Sequence, residues 1–125
     1  MLTDAFPNRS IVFSPEFLRA NTALVDLQDS MYKFPGQLSG GEQTRACIAR
    51  ALASNPLLLL CDEPTGNLDP DLSVQIVNLL EKINRAGTTI LMATHDSSIV
   101  NRKKKRVIQL KDGKLMSDVA QGRYV

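Results

Sequence analysis

Five apolar residues in a row, Leu57-Leu58-Leu59-Leu60-Cys61, run directly into two carboxylates, Asp62-Glu63. The run lacks the alternation of a half-exposed strand and is short for a helix. It reads as a strand buried on both faces, the kind that parallel sheets contain. Such a strand constrains the neighbouring segments, because helices must cover it and a parallel neighbour requires a long crossover. The next segment supplies one. Asp69-Pro70 suits an N-cap with proline at the first helical position, and Leu72, Ile76, Leu79, Leu80 and Ile83 recur at helical spacing up to Gly87. Residues 88–94 then read as a second buried strand, completing a parallel βαβ unit.

The flanks extend this α/β reading. Phe34-Pro35-Gly36 breaks any upstream helix, and Pro35 keeps Phe34 extended as the chain runs into Leu38. Ser39 with Glu42 three residues on is a capping-box pattern, opening a helix to about Asn55 that Pro56 stops. A short helix over 97–101 follows the second strand. Residues 106–110 and 115–119 around Lys111-Asp112-Gly113-Lys114 form an antiparallel hairpin. Residues 16–31 show a weak helical pattern, with Phe17, Leu18, Leu24, Val25 and Leu27 as core candidates, and residues 1–20 show no clear period.

Bulk composition narrows the function classes. With 125 residues, 43% hydrophobic and 22% charged, the chain suits one soluble globular domain. A net charge of +2 does not by itself argue for nucleic acid. No apolar run reaches the ~20 residues of a bilayer span, and no basic-then-apolar leader opens the chain. Cys47 and Cys61 lie in apolar surroundings and read as buried reduced thiols, which suits a cytosolic protein. The basic run Arg102-Lys103-Lys104-Lys105-Arg106 has no interleaved aromatics to stack bases, so it reads as a solvated loop.

Two places carry chemistry. Asp62 and Glu63 sit where a parallel strand ends, the edge at which α/β folds place ligands. One carboxylate there can hold magnesium through water, and the next can polarise an attacking water in phosphoryl transfer. The bland alternative is that both cap the following turn. In Leu38-Ser39-Gly40-Gly41-Glu42-Gln43, two glycines before a helix let backbone N–H groups approach an anion, and Ser39 adds a hydroxyl. A plain capped helix is the competing reading. His95, the sole histidine, follows the second strand at the end where Asp62-Glu63 also lie, which favours a functional role; a satisfied core histidine is the competing reading.

These motifs together resemble a known family. LSGGEQ is similar to the signature of ABC ATPases, LLLLCDEP to a Walker B strand, GNLD at 66–69 to the D-loop, and ATHD at 93–96 to the switch-histidine loop. The resemblance covers about residues 24–125 and leaves 1–23 unassigned. It implies the C-terminal part of a P-loop NTPase fold with parallel core strands and a terminal hairpin. DEPTGNLD and ILMATHD with VIQLKDGKL look like the branch holding lipoprotein-export, macrolide-efflux and cell-division ATPases, nearest the last.

By that resemblance Ser39, Gly40, Gly41 and Gln43 contact nucleotide held mainly by a second protomer, and Asp69 sits at the dimer interface. Asp62 organises magnesium, Glu63 orients the water, and His95 contacts the γ-phosphate of ATP. The implied partners are a second ABC protomer and a permease-like membrane subunit, with no nucleic acid; the implied location is peripheral to the cytoplasmic face. The chain holds no GxxxxGK[ST] loop and no glycine before Gly36. An incomplete ATPase, inactive alone, is therefore expected, or a non-catalytic subunit that pairs with a complete one. A soluble ABC protein of DNA repair or translation is a weaker third reading.

Overall fold

The computed structural model describes residues 27, 29–30 and 32–123. The expectations for residues 1–23 and for Phe17, Leu18, Leu24 and Val25 fall outside the described residues; Leu27 is described and is buried. The chain divides into two compact units, Met1–Ala93 and Thr94–Val125. No described helix is long and apolar enough to cross a membrane.

Among its described residues, the first unit holds the βαβ unit with a helix in front. In order come a 3-10 turn Pro35–Gln37, α1 (Gly40–Leu52), β1 (Leu58–Asp62), α2 (Pro70–Arg85) and β2 (Thr89–Ala93). β1 and β2 pair in parallel with Leu59 opposite Ile90 and Asp62 opposite Ala93. The 3-10 turn corrects the expected extended run into Leu38. Phe34 is extended at ψ 154°, but Gln37 and Leu38 donate backbone N–H bonds to Phe34 and Pro35.

Each helix end has a local cause. Asp69 accepts the Leu72 N–H at 2.9 Å with Pro70 next in line, as N-cap chemistry demands. At the other end of α2, Gly87 takes φ 113°. Its N–H bonds the Asn84 carbonyl while Thr88 N–H bonds that of Ile83, a Schellman closure. α1 ends three residues earlier than its sequence pattern suggests, because Asn55 turns left-handed at φ 51° before Pro56 is reached.

Packing uses one face of the sheet. Ala46, Ile48, Ala49 and Leu52 from α1 meet Ile76, Leu79, Leu80 and Ile83 from α2, with Leu59 of β1 between them. Burying each aliphatic side chain of this size is worth roughly 1.5–3 kcal/mol. The opposite face corrects a sequence expectation. Leu58, Leu60 and Leu91 are 50%, 67% and 53% exposed, so β1 is covered on one side only. Both described helices of this unit account for the covered side. Cys47 is also exposed, on the outer side of α1 beside Gln43 and Arg50, and Cys61 is half-buried; both are free thiols. Burial pushes the Cys61 thiol upward.

The second unit holds α3 (Ser97–Lys103) and the hairpin β3 (Val107–Lys111) with β4 (Lys114–Val119). Asp112 and Gly113 both adopt positive φ, the geometry a two-residue Asp-Gly hairpin turn requires. A bulge interrupts the register between Gln109 and Leu110. The basic run is more structured than a solvated loop. Arg102 and Lys103 end α3, where the helix dipole favours cations, and Lys104 is a left-handed C-cap. Arg106 pairs bidentately with Asp118 at 2.8 and 2.6 Å.

Candidate functional site

Ser39 and Glu42 cap each other. The Ser39 hydroxyl accepts the Glu42 N–H at 3.2 Å, and the Glu42 carboxylate accepts the Ser39 N–H at 2.8 Å. Gly40 and Gly41 follow as the first two residues of α1, and first-turn N–H groups have no carbonyl four residues back to bond. These groups, a hydroxyl and the positive end of the dipole make the start of α1 suited to an oxyanion. The glycines also serve packing. A Cβ on Gly40 would lie 3.2 Å from Leu68 Cδ2, and one on Gly41 3.2 Å from Leu72 Cδ2. The structure thereby brings the LSGGEQ loop against the segment that contains Asp69.

The Gln43 side chain points back. Its amide donates to the Pro35 carbonyl at 3.2 Å and the Leu38 carbonyl at 3.1 Å, tying the 3-10 turn to α1. Sequence reasoning missed two further members of this cluster. Ser30, 2% exposed, donates its hydroxyl to Glu42 Oε1 at 2.5 Å, and Lys33 reaches the same oxygen at 3.2 Å. Bonds from Ser30, then from the Ser39 backbone and Lys33, hold the Glu42 carboxyl at about 2, well below its usual range. No sequence pattern flags a contact twelve residues apart through an irregular segment.

Asp62 and Glu63 stand at the carboxyl end of β1, where the sequence places them. Asp62 is exposed and Glu63 half-buried. The chain turns sharply here: Glu63 adopts φ 44°, its N–H bonds the Ala93 carbonyl at 3.0 Å, and its own carbonyl accepts the Gly66 N–H at 3.0 Å. Left-handed backbone at a non-glycine residue costs of order 1 kcal/mol and concentrates at working sites. Among the described residues no group of three or more His, Cys, Asp or Glu could hold a metal. Magnesium does not need one, since it keeps water and takes one or two carboxylates beside phosphate oxygens. An exposed Asp62 at a strand end fits that requirement.

His95 belongs to the second unit. It is exposed and lies between Thr94, whose hydroxyl accepts the Asp96 N–H at 3.1 Å, and Asp96 itself. Asp96 caps α3 through the Ser98 and Ile99 N–H groups. The Ser98 hydroxyl first, and those N–H groups, hold the Asp96 carboxyl low, with His95 adding a smaller attraction.

The chain is similar to known proteins. The ABC transporter family profile matches residues 14–66. The cell division ATP-binding protein FtsE of Streptococcus pneumoniae is 56% identical over 101 residues, covering 81% of this chain and 44% of that protein. FtsE of Mycobacterium tuberculosis is 51% identical over 122 residues, covering 98% of this chain and 50% of its own length. This chain therefore spans about half the length of the curated relatives it matches. Among solved structures, the dimeric post-hydrolysis state of the ATP-binding cassette MJ0796 bound to ADP and Pi superposes with a TM-score of 0.68. It is 34% identical and covers 92% of this chain against 52% of its own. A capped LSGGEQ helix, a strand ending in Asp62-Glu63, and this identity across four-fifths or more of its length show that the chain belongs to the ABC ATPase family, near the FtsE branch.

Proposed function

We propose that this chain serves an FtsE-like ATP-hydrolysing subunit that works as a dimer and drives a permease-like membrane partner from the cytoplasmic face. The observation that carries the reading is the reciprocal Ser39–Glu42 cap, which leaves the N–H groups of Gly40 and Gly41 at the open end of α1. Such an end suits the γ-phosphate of an ATP gripped by the opposite protomer. Gln43 contributes by bracing the turn behind Ser39, its amide being committed to Pro35 and Leu38. Asp69 caps α2 and places the D-loop beside the signature, where two protomers meet.

Glu63 orients the attacking water, and His95 steadies the γ-phosphate. Asp62 would hold magnesium, which when bound offsets the negative charge of the triphosphate. ATP closing the dimer and hydrolysis reopening it would transmit force to the membrane subunit. The second protomer and ATP draw support from the MJ0796 dimer with ADP and Pi, and the process from the cell-division relatives.

These 125 residues contain no GxxxxGK[ST] loop, the element that surrounds the β-phosphate in this class of ATPase. The chain on its own therefore binds ATP weakly and releases no phosphate above a Glu63→Gln control; clear turnover above that control refutes this. A complete FtsE-type cassette with its own signature serine replaced by alanine tests donation in trans. Adding this chain restores phosphate release, and the Ser39→Ala chain does not. Equal rescue by both chains, or rescue by neither, rejects the proposed role of LSGGEQ.

A further inference from the structure

We infer that Ser30 and Lys33 are positioning residues for the signature loop, holding it through the Glu42 carboxylate in the form that receives a triphosphate oxygen. The inference rests on the proposed role of Ser39 and adds two residues outside the LSGGEQ string. Glu42 uses its two oxygens for different tasks. Oε2 takes the Ser39 N–H at 2.8 Å, and Oε1 takes the Ser30 hydroxyl at 2.5 Å and the Lys33 ammonium at 3.2 Å. Lys33 also donates to Ser30 Oγ at 3.2 Å, closing a three-membered cluster.

The consequence is directional. With Oε1 held by Ser30 and Lys33, Oε2 is fixed against the Ser39 backbone, and the Ser39 hydroxyl is fixed as acceptor of the Glu42 N–H. Its O–H hydrogen is then free to point outward, toward an acceptor that arrives with the nucleotide. A serine hydroxyl has one donor hydrogen and two acceptor lone pairs, so capping does not exhaust it. Ser30 is 2% exposed, so solvent cannot replace its hydroxyl in holding Glu42. The low carboxyl value of about 2 agrees with a Glu42 that stays ionised and accepting. Bonds to charged groups in partly buried settings are the stronger class, and an orphaned carboxylate oxygen is costly.

Two measurements test this. Amide hydrogen exchange on the whole chain reads the loop directly. Ser30→Ala and Lys33→Met each lower protection of the Ser39 amide about tenfold, leaving α2 amides such as Leu79 unchanged, and Ser30→Thr restores protection. Affinity for the ATP-loaded complete cassette, its own signature serine replaced by alanine, reads the consequence. Ser30→Ala weakens binding about fivefold to tenfold, and adding it to Ser39→Ala costs nothing more, because both act through one hydroxyl. Unchanged Ser39 protection overturns the inference, and so does an additive double variant. If Ser39→Ala itself leaves binding unchanged, the reading of the signature fails first and the positioning role falls with it.

Discussion

The Glu63 N–H donates to the Ala93 carbonyl at 3.0 Å, one residue beyond the Asp62–Ala93 pair that ends the parallel ladder. The sheet thus pins the backbone of Glu63 while φ 44° swings the chain away into the turn closed by Gly66. The backbone thereby fixes the point and direction at which the Glu63 side chain leaves the chain. β-branched residues tolerate left-handed backbone worst and asparagine tolerates it well. Glu63→Val should lower unfolding free energy by about 1–2 kcal/mol, whereas Glu63→Asn should hold or raise it by a few tenths. Urea titrations of the three chains decide the matter, and equal midpoints would remove the strained turn from the account.

Asp69 has a structural duty whatever its part between protomers. Asp69→Ala leaves the Leu72 N–H without its acceptor and should cost about 1 kcal/mol, with Asp69→Asn nearly neutral. If Asn is as destabilising as Ala in chemical unfolding, the cap is not what the carboxylate contributes.

Acid should loosen the signature before it melts the core. The Glu42 carboxyl falls from 4.5 to about 2 on folding, so the folded state releases its proton more readily. The sign comes from linkage: Glu42 contributes stability that is complete above 4.5 and is lost as pH falls from there through about 2. Glu42 is a quarter exposed and Lys33 more so, which keeps the effect modest and sensitive to salt. Glu42→Gln should flatten the decline in stability between pH 5 and pH 3 relative to the parent chain. Asp96 and Asp118 are also depressed and leave a residual slope. Parallel pH profiles of parent and variant contradict this.

Local chemistry explains which parts of the fold were legible in advance. The starts of α1 and α2 follow from Ser39 with Glu42 and from Asp69 with Pro70, because caps involve residues three positions apart. The stop at Gly87 and the Asp112-Gly113 turn follow from positive φ, which few residues accept. Burial is a different matter. A continuous run such as Leu57–Leu60 says that a strand is apolar on both faces, not what lies over each. Cys47 has apolar neighbours in sequence but faces outward, since helical position decides exposure and neighbour identity does not. Ser30 escaped notice because its partner lies twelve residues away across an irregular turn.

The bare side of the sheet yields a solution-state expectation. Leu60 and Leu91 are cross-strand partners at 67% and 53% exposure, and Leu58 adds to the same face. Contiguous exposed apolar surface binds hydrophobic dyes and favours association. Replacing Leu60 and Leu91 together by threonine, a good strand former, should cut dye fluorescence markedly with unfolding free energy changed by less than about 1 kcal/mol. Unaltered fluorescence means that this face is not what the dye meets.

Gly122 provides the sharpest geometric test, and it concerns the second unit alone. Its N–H bonds the Lys105 carbonyl at 3.1 Å, drawing the chain after β4 back over the start of β3. A Cβ there would sit 2.5 Å from Val107 Cβ and 2.7 Å from Val107 Cγ2. The first contact is with an atom fixed to the backbone, so rotation of Val107 cannot relieve it. Gly122→Ala should therefore force a backbone shift and cost about 1–3 kcal/mol, the usual range for overpacking. Val107→Ala removes the Cγ2 contact but leaves the Cβ contact in place, so it should recover only part of the loss. Val107→Gly removes both contacts and should recover more of the overpacking cost, less the penalty of glycine in a strand. Hairpin amide exchange in the four chains separates these cases. Full recovery with Val107→Ala would show that Cγ2 alone makes the clash, and no loss with Gly122→Ala would show that the strand end is free to move.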